Sequence, residues 1–553
     1  FRRTQVNIGP PTPRDCDIFV AKIHGSVVHM GQDSTRSISK AIQERMNARM
    51  GEMTDDELYA YLAQTVYLER KRLSQSKDET AEEERSSIES AARAVHEGRS
   101  EMTQAVISLT RSYVYEIHNR FSEKTYDVAT RLLPGALTRL LTAAGPKTGP
   151  GADFDPGSRI AVHGPLSLLR ELAETHTLVL APTHVSNLDS PVIGYALYQA
   201  GLPPFIYGAG LNLFGNPAMS FFMSRLGAYT VDRRKRHRMY KDVLKDYSTE
   251  RIGRGAHSLF FPGGTRCRSG KIESQLKRGL LGTAIQAWQE GLASGEATKE
   301  ILVVPCPLSF SLVLEAETLI EDSLSEQGRS RYIITDDEFS EPTTVYHFAR
   351  KVLNLDASVH VRFGSPLDLM GNPVDAQGQS LSPGGEPFDR RAYVMNGQGQ
   401  VLSDKQRDSI YTNQLAERLT EAYQRDHTIV STQLVARAAW ECLAHRYPRL
   451  DTYQQVLLSK FEQWIDREAL LSRIREWLAH IDKLVEMGAV HQALPAGDGD
   501  RAERVLAEAV QRFGSYHSRP AVSHEDWRIL VDPKLALYYG NRLAGIPAPE
   551  VSQ

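Results

Sequence analysis

Apolar positions keep two different rhythms along the 553-residue chain. From about Ile38 to Ala144 they recur at helical spacing, as in Val106, Leu109, Val114, Ile117 and Phe121, which predicts a mainly helical region. Within it, Glu69 to Glu101 mixes Lys and Arg with Asp and Glu and holds no Pro, so solvated helices are expected. Leu132, Leu133, Leu137, Leu140 and Leu141 cluster around Pro134 and Gly135, and the turn-rich stretch Gly145 to Gly157 predicts a linker. Short apolar runs follow: Leu178–Ala181, Phe205–Tyr207, Ala228–Val231, Ser258–Phe261, Ile301–Val304 and Val359–Phe363. Helical lengths separate most of them. This predicts an α/β domain with a mainly parallel or mixed sheet, buried on both faces and flanked by helices. The pattern ends near Leu369, Gly371 to Gly385 reads as a loop, and Asp404 to Leu543 is again mainly helical with a break at Leu494 to Asp500. The expected division is a helical region over 1–150, an α/β domain over 151–370 and a helical region over 371–553.

Composition narrows the classes. Charged residues are 24%, hydrophobic residues 41% and the net charge is -3, so bulk charge gives no reason to expect a nucleic-acid partner. The cysteines Cys16, Cys267, Cys306 and Cys442 form no CxxC pair; neither a disulfide scaffold nor a structural zinc site is expected, and a reducing compartment fits. Because the chain begins at Phe1 rather than Met, the lack of a signal peptide carries little weight. The longest charge-free run, between Asp189 and Arg225, is cut by Pro191, Pro203, Pro204 and Pro217. Its pieces are roughly half the ~20 residues of a membrane span, so buried core is expected instead.

Four segments carry candidate chemistry. His184-Val-Ser-Asn-Leu-Asp189 follows a predicted strand. Residues five apart diverge by about 140° on a regular helix, but a turn between them would bring the carboxylate to one ring nitrogen and leave the other to take a proton. The alternative is a loop histidine and a helix-capping aspartate. Gly227-Ala-Tyr-Thr-Val-Asp-Arg233 ends a strand in positive charge, continued by Arg234, Lys235, Arg236 and Arg238. Either Arg233 binds an anion while the others face solvent or anionic lipid, or the cluster is a basic solvated helix start. In Phe260-Phe-Pro-Gly-Gly-Thr-Arg-Cys-Arg-Ser-Gly-Lys271 a strand runs into a Gly-rich turn bearing Arg266, Arg268 and Lys271. Backbone N–H groups can approach a phosphate there and guanidinium forks can bind it, although the spacing is not that of a Walker A loop. From Arg225 to Arg278 there are 15 Lys and Arg against 5 Asp and Glu, a local net of 15 − 5 = +10 that suits a phosphorylated ligand or a lipid headgroup. The fourth, Val303-Val-Pro-Cys-Pro307, reads alone as a buried strand ending in a rigid turn.

In this order, over about 180 residues, the segments resemble the four blocks of the glycerol-phosphate and lysophosphatidate acyltransferases. The first block of those proteins, His-x4-Asp, is matched by His184 and Asp189; the second, a Gly, a strand and an Arg, by Gly227 and Arg233. The third, Phe-x-Glu-Gly-Thr-Arg-Ser, is matched at Phe261, Gly264, Thr265 and Arg266. The fourth, an apolar-Pro strand end, is matched at Val304 and Pro305, and Val359-His-Val-Arg-Phe-Gly-Ser-Pro366 resembles the strand that follows. One departure stands out: the family's third-block Glu, commonly regarded as part of the acceptor site, is Gly263 here, and Cys267 replaces its Ser. That implies altered acceptor contacts, lost activity, or a carboxylate supplied from elsewhere.

The extended third block and Leu537-Tyr-Tyr-Gly-Asn-Arg542, similar to a Tyr-x-Asn tail, lean toward the large glycerol-3-phosphate acyltransferases. The resemblance implies an acyl group passed directly from acyl-CoA or acyl carrier protein to the sn-1 hydroxyl of glycerol 3-phosphate, without acyl-enzyme, cofactor or metal. His184 would be the base, oriented by Asp189, with the acceptor phosphate among Arg233, Gly264, Thr265, Arg266, Arg268 and Lys271. Lysophosphatidate or dihydroxyacetone phosphate as acceptor, or a silent lipid-binding relative, are the alternatives; a phosphate-ester hydrolase lacks an evident metal cluster or phospho-nucleophile. A lipidic product implies peripheral contact with the inner face of the membrane from the cytoplasm. Met102–Leu141 and Arg233–Arg238 are the candidate contact surfaces, though an apolar helical stripe like the first is more often core.

Overall fold

The computed structural model describes residues 35–75, 82–122, 124–126, 160–211, 223–295, 299–327, 358–497, 499–514, 517, 519–525 and 528–549. The predicted linker at 145–157, the leucine cluster at 132–141, Pro217 and Cys16 lie outside them. The described residues begin with four helices, α1 Thr35–Gly51, α2 Asp55–Ser74, α3 Glu82–Ala94 and α4 Arg99–Ile117. The α/β region follows as β1 Ile160–His163, α5 Leu166–Thr175, β2 His176–Pro182, α6 Asp189–Ala200, β3 Ile206–Gly210, β4 Ala228–Val231, α7 Arg238–Gly253, β5 Ser258–Leu259, α8 Arg278–Ser294, β6 Glu300–Cys306, β7 Leu308–Phe310, α9 Ala316–Gln327 and β8 Val359–Arg362. A short hairpin, β9 Ser380–Leu381 and β10 Pro387–Phe388, leads to α10 Lys405–Asp426. The rest comprises β11 Thr428–Val430, α11 Ser431–Arg446, α12 Thr452–Val456, β12 Trp464–Asp466, α13 Arg467–Glu486, β13 His491–Ala493, α14 Arg501–Phe513, β14 Val522–Glu525, β15 Arg528–Val531 and α15 Pro533–Gly540.

The fold is α/β. Its centre is a five-stranded sheet in the order β4-β3-β5-β2-β6, parallel throughout. β2 is buried along its whole length, as a strand covered on both faces must be. Its side chains alternate between two cores: Leu178 and Leu180 pack with Val192, Ile193 and Leu197 of α6, while Val179 and Ala181 pack with Leu281, Ile285 and Trp288 of α8. α6 and α8 therefore cover opposite faces. The chain leaving β2 crosses to β3 on the far side of β5, and the chain leaving β5 crosses to β6 on the far side of β2. The two exits leave over opposite faces of the sheet, and the carboxyl ends of β2 and β5 between them are the usual ligand position in such sheets. A second sheet, β1-β8-β7, pairs β1 with β8 in parallel and β7 with β8 antiparallel.

All six predicted strands are present within a few residues of their expected limits. Val359–Arg362 belongs to the second sheet rather than the central one, and β1 and β7 were not foreseen. The C-terminal helices carry five unforeseen strands, in a parallel pair β11-β13 and an antiparallel set β12-β15-β14.

The N-terminal helices lie against α7 and the β3–β4 edge. Ile42, Met46, Leu62, Val106 and Val114 share one core with Ile206, Tyr229, Tyr240, Val243 and Tyr247. Arg49 bridges Asp246 at 2.9 Å, Arg45 bridges Glu250 at 2.9 Å, and the Tyr61 hydroxyl donates to Asp242 at 3.1 Å. Three expectations are corrected here. The described part of the stripe beginning at Met102 faces this core, with Met102, Val106, Leu109, Val114 and Ile117 buried, so it is no lipid-contact surface. Glu69 is not solvated but buried, paired with Arg72 and His237. Lys235, expected in solvent or on lipid with its arginine neighbours, is buried against Glu116 and Glu84. No helix among the described residues is long and apolar enough to cross a membrane, and the described part of the run after Asp189 packs into the sheet core.

Candidate active site

β2 delivers His184 to these carboxyl ends, and Thr183 to Ser186 run irregularly into a turn at Asn187 and Leu188 before α6 begins at Asp189. This turn closes the angle that a helix would have left open. The Asp189 carboxylate accepts from His184 Nδ1 at 2.7 Å, from the Val185 N–H at 2.6 Å and from the Ser186 N–H at 3.1 Å. A carboxylate that accepts from Nδ1 fixes the proton there and leaves Nε2 to receive one. Asp189 is 1% exposed and the His184 side chain 15%, so the pair is shielded yet open on the imidazole side. The ring stacks on Phe261 with centroids 4.3 Å apart.

The turn after β5 approaches from the neighbouring strand. The Cys267 N–H donates to the His184 carbonyl at 2.8 Å, tying third block to first. The Lys277 N–H donates to the Pro262 carbonyl at 2.7 Å and closes the loop at the start of α8. Gly264 has φ +74°, and the end of the Lys277 side chain lies where a Cβ would stand. Arg266 reaches Glu315 at 3.4 Å, and Glu315 accepts from Ser186 Oγ and the Asn187 N–H, each at 2.9 Å. Burial pushes the Glu315 carboxyl up despite the Arg266 guanidinium. Thr265 and Lys271 are exposed and Arg268 is half-buried. Burial also pushes the Cys267 thiol up, and its Sγ donates to the Lys271 carbonyl at 2.7 Å, which gives it a structural place rather than a nucleophile's.

The C-terminal end of the chain seals this loop. Asn541 Nδ2 donates to the Ser269 carbonyl at 2.7 Å and Arg542 Nη1 to the Lys271 carbonyl at 3.3 Å. The backbone of Tyr538 comes so close to Gly270 that any side chain there would collide with its carbonyl.

The structure thus gathers His184, Asp189, Thr265, Arg266, Arg268 and Lys271 at the adjoining ends of β2 and β5. Arg233 stands apart. It is exposed on the turn after β4, two strands from β5 at the same edge of the sheet. Its neighbour Arg234 folds back on Asp232 at 2.9 Å. Glu273, Glu315 and Lys277 were missed by sequence reasoning. Glu315 follows a segment read as structural and carries no local sign of its reach to Ser186. Lys277 was available as a base immediately ahead of an apolar helical run. Among the described residues no group of three or more His, Cys, Asp or Glu is placed to hold a metal ion.

A turn-held His–Asp pair beside a basic Gly-rich loop, at the carboxyl edge of a parallel sheet, defines the class. Residues 159–309, which hold all four blocks, match the Acyltransferase family. The chain is 32% identical over 203 residues to a glycerol-3-phosphate acyltransferase of Glaesserella parasuis and 31% identical over 203 residues to one of Haemophilus ducreyi. Each match covers 36% of this chain and 23% of the relative, so it spans about a quarter of those proteins' length. A crystal structure of a 1-acyl-sn-glycerophosphate acyltransferase from Thermotoga maritima is similar at 14% identity and a TM-score of 0.26, over 57% of this chain and 86% of that one. At that score the likeness carries no argument.

Proposed function

We propose that the protein transfers a fatty acyl group from acyl-CoA or acyl carrier protein to the sn-1 hydroxyl of glycerol 3-phosphate, forming lysophosphatidate. The observation that carries this reading is the His184–Asp189 contact at 2.7 Å, one hydrogen bond away from the loop that bears Arg266 and Arg268. In this reading Nε2 of His184 removes the proton of the acceptor hydroxyl. The oxygen attacks the thioester carbonyl, the C–S bond breaks, and the thiol leaves with a proton returned by the imidazole. The half-buried guanidinium groups and the exposed Lys271 ammonium attract the acceptor phosphate. Ser186 is no nucleophile here, since its hydroxyl donates to Glu315.

The names of the relatives favour glycerol 3-phosphate over lysophosphatidate or dihydroxyacetone phosphate as acceptor. We also propose that the protein works at the cytoplasmic face of a membrane, held peripherally through the exposed side chains of Arg233, Arg236 and Arg238. The deciding experiment is thiol release from an acyl thioester with and without glycerol 3-phosphate, using wild type and His184→Ala. Release that depends on the acceptor and vanishes in the variant supports the reading. Release from wild type only with another acceptor corrects the acceptor alone, and release undiminished in the variant removes His184 as base.

A further inference from the structure

The third-block glutamate of the acyltransferase family is Gly263 in this chain, and the structure shows what fills its space. Gly263 is not among the glycines with positive φ, so its backbone would accept a side chain. What crowds one is Glu273. A Cβ at position 263 would stand 3.2 Å from Cγ of Glu273 and 3.4 Å from its Oε1. Glu273 is buried, and its Oε1 accepts from the main-chain N–H of His184 at 2.6 Å. Its Oε2 is buried with no hydrogen-bond partner among the described residues. A carboxylate therefore stands beside position 263 and grips the residue that bears the imidazole, although it enters the chain ten residues later.

We infer that Glu273 supplies, from the far side of the loop, the carboxylate that relatives carry at position 263, and that it is the positioning residue for the His184 turn. The inference deepens the acyltransferase reading and rests on it for its kinetic consequence. The geometry gives the pair a reciprocal logic. With Glu273 present, a side chain at position 263 would meet its Cγ at a distance tighter than ordinary packing, which favours glycine there. With Glu273 removed, position 263 is free to hold a carboxylate of its own. Gly263 thus marks a relocated group and not a disabled site. The main-chain bond matters because His184 is held at both ends of its turn. Asp189 fixes the ring, while Glu273 fixes the backbone from which the ring hangs.

The test moves the carboxylate back. Glu273→Ala, Glu273→Gln, Gly263→Glu and the double variant Gly263→Glu/Glu273→Ala are compared for acceptor-dependent thiol release. Amide hydrogen exchange is followed by mass spectrometry on the peptide spanning Thr183 to Leu188. Glu273→Ala is expected to lower kcat roughly 30- to 100-fold, with a smaller change in KM, as displacement of a reacting group does. It should also speed exchange at the His184 amide. Glu273→Gln, which keeps an oxygen for that amide, should fall between. Gly263→Glu alone should be impaired by crowding, and the double variant should regain at least ten-fold of the kcat lost, together with slow exchange. Wild-type turnover in Glu273→Ala, or a double variant no faster than Glu273→Ala, overturns the inference. If wild type itself turns over no acceptor, the proposed function fails, and the exchange series alone decides Glu273: protection lost in Glu273→Ala and restored in the double variant upholds its placement, and any other pattern overturns it.

Discussion

Asn at position 189 is nearly isosteric with Asp, so its effect isolates the chemistry of the contact. In the native turn Oδ2 of Asp189 takes both His184 Nδ1 and the Val185 N–H, at 2.7 and 2.6 Å, and Oδ1 takes the Ser186 N–H at 3.1 Å. An amide has one acceptor oxygen. Held in the place of Oδ2 it keeps all three donors, since His184 Nδ1, the Val185 N–H and the Ser186 N–H all reach that atom, and the ring proton stays on Nδ1. What is lost is the negative charge that stabilises the imidazolium formed when Nε2 takes the acceptor's proton. A hydrogen bond to a charged group outweighs a neutral one by about 1–2 kcal/mol, so kcat should fall by roughly 5- to 30-fold. The loop bearing Arg266, Arg268 and Lys271, the proposed phosphate site, is untouched, so KM for glycerol 3-phosphate should stay within about three-fold. Thiol release at varied acceptor concentration separates the two constants. A kcat within about two-fold of wild type, or a loss confined to KM, would refute the role of the Asp189 charge.

Three further outcomes are expected. Asn541→Ala removes the 2.7 Å bond to the Ser269 carbonyl and loosens the loop carrying Arg268 and Lys271; KM for the acceptor should rise by roughly five-fold, about 1 kcal/mol, with kcat nearly kept, as titration of initial rates would show. His427 is 2% exposed between Ser309 and Gln433, and burial drives its imidazole down to about 3 from the usual 6.5. The unfolded chain takes up that proton as pH falls below about 6.5 while the folded chain does not, so this part of the stability is full above pH 6.5 and about 2 kcal/mol of it is gone at pH 5. Urea unfolding at pH 8 and pH 5 should show the loss, and His427→Gln should reduce the difference by a similar amount. Replacing Arg233, Arg236 and Arg238 together by Gln should weaken cosedimentation with anionic vesicles by roughly 10²-fold, at about 1 kcal/mol for each charge, and an unchanged partition would take this surface out of membrane contact.

The parts of the fold legible in the sequence are those whose burial is written locally. β2 and β6 read as strands because both faces of the central sheet are covered, which makes them continuous apolar runs. β7 was hidden because only Pro307 separates it from β6, so one run ending in a rigid turn concealed a change of sheet. β1, half-buried, offers only three apolar residues, Ile160 to Val162, before its histidine, too short a run to stand out. The three-residue strands of the C-terminal region are too short to interrupt a helical texture.

The same division runs through the site. His184 and Asp189 could be paired on paper because only four residues lie between them. The contacts that complete the arrangement span 89 residues from Glu273 to His184, 129 from Glu315 to Ser186 and 272 from Asn541 to Ser269. No periodicity records them; only the packing of one loop between β2, β7 and α15 brings them together. Gly263 shows the consequence most clearly. Compared with a family pattern position by position, it is a missing glutamate and argues for a silent protein. In three dimensions the same glycine is the space into which Glu273 fits, 3.2 Å from where its side chain would begin. A motif residue is defined by where its charge ends up, and a chain can change the position that supplies the charge while keeping the place that needs it. On the placement inferred for Glu273, its removal should therefore cost as much as the loss of the glutamate would cost in a protein that carries it in the block itself.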